Sequence, residues 1–185
     1  MREMDQLLAL HCAPTLLGIK PANLIRLSSE QIPRLTAAIC EYDRLLSAKG
    51  IRLEMLCRCS TSALLLVHSP AQLQALLRRP PQRRMLLQAG YPPSGSLSEQ
   101  LAHLQKRIRS CSAFPHEVGL FLGYPPSDVE AFQRCQGKGC ILCGYWKVYS
   151  DEERARHTFQ RYDDCRDYLC RRVAAGASIP QLLFA

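Results

Sequence analysis

Two rhythms of apolar and polar positions run along this chain. After Gln31, the residues Ile32, Leu35, Ile39, Tyr42 and Leu46 recur at a helical period. Ser28 and Gln31 stand at capping-box spacing ahead of them, and Gly50 closes the predicted helix. The rhythm then changes. Ile51, Leu53, Met55, Cys57 and Cys59 alternate with Arg52, Glu54 and Arg58, the period of a half-buried strand. A second apolar run from Ala63 to Val67 follows the polar Ser60-Thr61-Ser62, so the pair predicts an antiparallel hairpin.

The helical rhythm brackets this hairpin. Residues 3–10 predict a short first helix, and TLLGIK (15–20) and LIRL (24–27) read as extended around Pro21. Ser69-Pro70 and Pro80-Pro81 open further helices. Ser96 with Glu99 caps another, whose stripe is Leu97, Leu101, Leu104 and Ile108. FPHEVGLFLG and PPSDVEAFQR predict two short helices, the first closed by Gly123, and GYWKVY predicts a strand. Ser150 and Glu153 cap the last long helix, with Ala155, Phe159, Tyr162, Cys165, Leu169 and Val173 on one face and Gly176 at its end. The fold class is α+β: a small, mainly antiparallel sheet of about three to four strands packed against several helices. A length of 185 residues predicts a single domain over 1–185.

Charge changes the picture little. The net charge of +8 invites a nucleic-acid reading, but Arg78, Arg79, Arg83 and Arg84 sit beside prolines with no aromatic residues interleaved to stack on bases. A solvated basic face is expected, and no nucleic-acid partner. The basic residues are 24 in all but only 5 are lysines, so each lysine stands out; Lys20 and Lys147 lie in the most sharply patterned segments. No apolar stretch approaches the roughly 18–20 residues of a membrane span, and the N-terminal segment lacks a signal-peptide pattern. A cytoplasmic protein with reduced thiols is expected, despite 10 cysteines.

Three chemistries compete for those cysteines. Cys135, Cys140 and Cys143 have C-x4-C-x2-C spacing, found in iron–sulfur loops and compatible with zinc. Cys165 falls on an apolar helical stripe, where a cysteine is a small hydrophobe. A redox CxxC pair calls for a helix N-terminus, whereas a strand follows Cys143. Cys12 in HCAPTL is a candidate nucleophile with His116 and Glu117 as distant partners; against this, the negative end of a preceding helix disfavours a thiolate. His116-Glu117 is not a zinc-binding HExxH, because position 120 is Leu.

GYWKVY carries its own information. Alternation puts Trp146 and Val148 on a core face, and Tyr145, Lys147 and Tyr149 on the other, an ammonium between two phenols suited to an anionic or aromatic ligand. Lysine snorkelling across a sheet surface is the plainer alternative.

HCAPTLLGIKPANL, FPHEVGLFLGYPPSDVEAF and GYWKVYSDEE together resemble the signature segments of a bacterial family catalogued as domain of unknown function 3793, with members largely from anaerobic fermentative bacteria. The resemblance extends over essentially the whole chain. It implies no activity, cofactor or fold. It implies a set of positions instead, leaving Cys12, Lys20, Asn23, His116, Glu117 and Lys147 as the polar residues of one candidate site, while Cys135, Cys165 and Cys170 fall outside its pattern. Three functional readings follow. One is a pocket for a small anionic ligand, with Lys20, Asn23, Tyr145, Lys147 and Tyr149 binding and Cys12, His116 and Glu117 as possible reactive groups. The others are a metal or iron–sulfur protein built on Cys135, Cys140 and Cys143, and a non-catalytic module that docks a protein partner on the aromatic strand. No cofactor, and no decision for or against an enzyme, is legible.

Overall fold

In the computed structural model, which describes residues 2–93, 95–110 and 114–184, both rhythms become elements of an α+β fold. The chain forms two compact units, Met1–Gln72 with Tyr162–Ala185, and Leu73–Arg161.

The first unit is built on a three-stranded antiparallel sheet in the order β1-β3-β2, with β1 Ala22–Ser28, β2 Arg52–Arg58 and β3 Ser62–His68. The β3 strand lies in the middle, which is why its sequence is a continuous apolar run: Leu65, Leu66 and Val67 are all fully buried. Helices α1 (Arg2–Leu16) and α2 (Gln31–Ser47) supply the core partners. The five residues of the α2 stripe are its five buried residues. Its capping box is formed as expected: the Ser28 amide donates to Gln31 Oε1 at 3.0 Å, and the Gln31 amide donates to Ser28 Oγ at 3.3 Å. Leu169 and Val173 on the later part of α8 (Glu152–Ala174) pack into the same core, with Cys165 against it as a small hydrophobe.

Three features of this unit depart from the sequence expectation. The first helix runs through Cys12 to Leu16 rather than stopping near residue 10, carrying Pro14 inside it. Beyond it, the Pro14 carbonyl accepts the amides of Ile19 at 2.8 Å and Lys20 at 3.1 Å, so residues 17–21 turn rather than extend. In β2 a bulge between Met55 and Cys57 breaks the alternation. The extra residue shifts the phase, so Leu56 is fully buried and Cys59 is exposed. The third departure is a terminal helix, α9 (Ile179–Phe184), which the pattern did not announce.

Asp5 holds that terminal helix. Its carboxylate is buried, and Oδ1 accepts both the Tyr42 hydroxyl and the Ile179 amide at 2.7 Å. One side chain on α1 therefore secures α2 and the start of α9.

The second unit is mostly helical. It contains the end of α3 (Pro70–Leu77), then α4 (Pro80–Gln88), α5 (Leu97–Ser110), α6 (Val118–Phe121) and α7 (Pro126–Arg134). A two-stranded hairpin of β4 (Leu142–Cys143) and β5 (Lys147–Val148) and the first part of α8 complete it. Ser96 and Glu99 cap α5 as predicted, the Ser96 amide donating to Glu99 Oε2 at 2.6 Å. On α5 the buried residues are Leu101 and Leu104, while Leu97 is half-buried. At the start of α8 the cap is Asp151, whose Oδ1 accepts the Arg154 amide at 3.3 Å, rather than Ser150. Ser150 is engaged elsewhere. No helix among the described residues is long and apolar enough to cross a membrane.

Asp5→Ala removes the acceptor that the Tyr42 hydroxyl and the Ile179 amide share, and each lost buried bond of this kind costs about 1–3 kcal/mol. Urea denaturation should show a loss of about 2–5 kcal/mol. A loss below about 0.5 kcal/mol would mean that these donors find other partners.

Candidate functional site

The segment around GYWKVY forms one wall of a cavity of about 290 Å3 in the second unit. It is a tight hairpin rather than the continuous strand expected from alternation. Only Lys147 and Val148 pair, opposite Cys143 and Leu142, and the Gly144 amide closes the turn on the Trp146 carbonyl at 3.1 Å. The ladder cannot continue, because the next two amides are taken by a side chain. Asp128 Oδ1 accepts Tyr149 N at 2.9 Å and Ser150 N at 3.2 Å, with the Ser150 hydroxyl at 3.3 Å. Its Oδ2 accepts the Trp146 indole N–H at 2.8 Å. Asp128 is buried in the first turn of α7, where the helix dipole also favours its charge.

This arrangement preserves the predicted faces. Trp146 and Val148 are buried, and Tyr145, Lys147 and Tyr149 are partly exposed. Trp146 packs edge-on to Phe159 at 4.5 Å and lies 5.3 Å from Tyr124. Gly144 is required by that packing: a Cβ there would stand 2.4 Å from the Phe159 ring. Gly119 on α6 is pressed in the same way, its virtual Cβ lying 2.9 Å from Val129 and 3.0 Å from Tyr124.

The cavity wall is largely aromatic, with Phe114, Tyr124, Phe132 and Trp146 contributing. His116, Asp128, Cys143 and Lys147 bring polar atoms to it. His116 is exposed and meets the Phe132 ring edge-on at 5.1 Å. Lys147 Nζ donates to the Gly137 carbonyl at 2.7 Å and lies 5.9 Å from the centre of the Phe132 ring. The two phenols do not line the cavity with it. Tyr145 packs on Phe159 at 5.6 Å, and the Tyr149 hydroxyl is buried with no hydrogen-bond partner. Burial, then the Cys140 and Cys135 thiols and Asp128, raise the Tyr149 pKa above its ordinary value.

Glu117 is turned to another task. It is buried, forms a salt bridge with Arg107 Nε and accepts the Tyr91 hydroxyl at 3.3 Å, tying α6 to α5. A carboxylate so occupied is a strut of the wall.

Cys12, Lys20 and Asn23 gather in the first unit. All three are buried, and Asn23 Oδ1 accepts the Thr15 hydroxyl at 2.6 Å. Burial pushes the Cys12 thiol pKa far above its usual value, and the Lys20 charge offsets this only in part. Burial in turn lowers Lys20 to about 8, with the Cys12 charge acting in the opposite sense. Lys20 Nζ also lies 5.6 Å from the centre of the Tyr162 ring. Sequence proximity of His11 adds nothing, since His11 is exposed.

Among the described residues, no three His, Cys, Asp or Glu side chains are arranged to hold a metal. Cys135, Cys140 and Cys143 therefore do not form the ligand set that their spacing allows, because Cys143 enters the hairpin and faces the cavity. Two functional-type features escaped the sequence reading. In the sequence Asp128 shows only as part of a helix start, and Cys59 as an inward strand residue. Cys59 is an exposed thiol whose pKa is lowered to about 6, first by the Thr61 hydroxyl at 3.4 Å, then by the Thr61 backbone, the Ser62 hydroxyl and the Ser62 backbone. The hydroxyl run Ser60-Thr61-Ser62 was its visible signal.

The fold and cavity define an α+β protein with an aromatic pocket formed by a hairpin and short helices. Residues 8–183 match the family described as Protein of unknown function (DUF3793), and the chain belongs to that family. No curated protein and no solved structure matches the chain.

The two thiols should separate in alkylation. With iodoacetamide and peptide mass mapping, Cys59 should label with a half-maximal rate near pH 6, since the thiolate is the reactive form. Cys12 should stay unlabelled until the protein is unfolded. Labelling of native Cys12 at the rate of Cys59 would contradict its burial.

Proposed function

We propose that the second unit binds a small anionic molecule with a flat apolar body in the aromatic cavity. The observation that carries this is the opening of a lysine ammonium and an imidazole onto a space of about 290 Å3 with aromatic walls. Such a site stacks a planar group against Phe132 and Trp146 and leaves a carboxylate within reach of Lys147. Lys147 is held to the Gly137 carbonyl, which positions its charge before the ligand arrives. His116 offers a second donor at the rim. Asp128 also lines the cavity and keeps its negative charge, which four neutral donors stabilise, so the attraction from Lys147 has to outweigh it.

The reading is one of binding. Cys12, with a raised pKa in the core of the first unit, serves there as a packed thiol beside Lys20. The opposite partner class, a protein docked on the hairpin, is less supported, because the strand's apolar face is buried in its own unit.

Trp146 is the single tryptophan of the chain and lines the cavity, so its fluorescence reports occupancy directly. Titration with phenylacetate should give a saturable change, and neutral phenylacetamide and apolar-free acetate should bind at least about tenfold more weakly. Lys147→Met should weaken phenylacetate by about tenfold, the worth of one charge-assisted hydrogen bond, without altering the response to phenylacetamide. Equal affinity for phenylacetate and phenylacetamide would overturn the reading.

A further inference from the structure

The paired prolines and arginines of residues 78–84 border a second cleft. It measures about 380 Å3 and lies within the second unit, where Gln74 and Arg78 follow from α3, Arg83 from α4 and Gln100 from α5. Its chemistry is the reverse of the aromatic cavity. No aromatic side chain and no carboxylate is among the described residues that line it. Several guanidinium groups form ion pairs with carboxylates: Arg34 with Glu3, Arg52 with Asp43, Arg107 with Glu117, Arg156 with Glu152 and Arg166 with Asp163. Among the described residues, Arg78 and Arg83 have no such carboxylate. Arg83 is held in place instead by donating from Nη2 to the Pro93 carbonyl at 3.1 Å.

Two like charges facing one volume repel each other, and an anion between them converts that repulsion into attraction. Guanidinium groups match the oxygens of a phosphate with paired hydrogen bonds, more closely than ammonium groups do. The remaining polar groups specify the rest of the occupant. Gln74 and Gln100 present carboxamides, and the Gln100 Oε1 atom is buried with no hydrogen-bond donor. Such a carbonyl calls for an N–H or O–H group. The absence of aromatic lining removes the stacking platform that a nucleobase uses.

We propose that this cleft binds a small phosphate ester of a polyhydroxy compound, with the phosphate between Arg78 and Arg83 and the hydroxyls on Gln74 and Gln100. The site is independent of the aromatic cavity. It gives the basic cluster of residues 78–84 a ligand rather than bare solvent.

The probe is glucose 6-phosphate, with glucose, inorganic phosphate and a single-stranded oligothymidylate as comparisons, measured by calorimetry on the full chain. Glucose 6-phosphate should bind saturably, more tightly than inorganic phosphate, and glucose should not bind. Arg78→Gln, a substitution at an exposed position, should weaken glucose 6-phosphate by about tenfold or more. Arg84→Gln removes a neighbouring exposed charge outside the cleft and should change the affinity less than about twofold. Equal losses in the two variants would overturn the proposal in favour of diffuse charge. So would no saturable binding of glucose 6-phosphate up to about 10 mM. Tighter binding of the oligonucleotide, weakened alike by Arg78→Gln and Arg84→Gln, would also overturn it and assign the face to nucleic acid.

Discussion

A carboxylate withdrawn from water has to find donors for its oxygens, and Asp128 finds four. The indole of Trp146, the amides of Tyr149 and Ser150 and the Ser150 hydroxyl all converge on it. A buried charge with this many partners fixes their positions, because losing one donor leaves the charge undersolvated. The hairpin of residues 142–148 owes its end to this demand, since two amides that would have extended the ladder are consumed. The indole is pinned against the cavity wall by the same group. Lys147, next in sequence to the pinned Trp146, is thereby aimed at the Gly137 carbonyl and the cavity.

Asp5 applies the same logic in the first unit, with one oxygen serving a tyrosine hydroxyl and a backbone amide distant in sequence. Neither aspartate was legible as an organiser. An aspartate near the start of a helix reads as an end-cap or a favourable charge, and sequence spacing does not show what folds over it. The α9 helix leaves no sequence signal for a related reason: its six residues are too few to display a period, and the carboxylate that holds its first amide lies far away along the chain. By contrast the α2 stripe and its capping box were read correctly, because every group involved lies within a few turns of its partner. The β2 strand fell between these cases. Its alternation was visible, but the bulge at Leu56 that reverses the phase arises from pairing with β3 and leaves no local mark.

The candidate site was legible in part. Alternation in GYWKVY correctly sorted Trp146 and Val148 from Lys147, because buried and exposed positions differ even in a hairpin two residues deep. The partners of Lys147 were not legible. Phe132, His116 and Gly137 come from a short helix, a loop and a turn whose approach is tertiary. The grouping of Cys12 with Lys20 and Asn23 did emerge from one stretch of sequence, and it is a buried cluster in the first unit. Cysteine spacing misled most. A C-x4-C-x2-C pattern says how far apart thiols are along the chain, and here the hairpin turns one of them toward an apolar space.

The contact between Gly144 and Phe159 has a meaning for divergence. A methyl group at position 144 has no room beside that ring, and the ring cannot retreat while it packs on Trp146. The two positions therefore form a single inherited unit. A lineage that enlarges residue 144 must shrink residue 159 at nearly the same time, and a lineage that keeps a phenylalanine at 159 holds a glycine at 144 hostage.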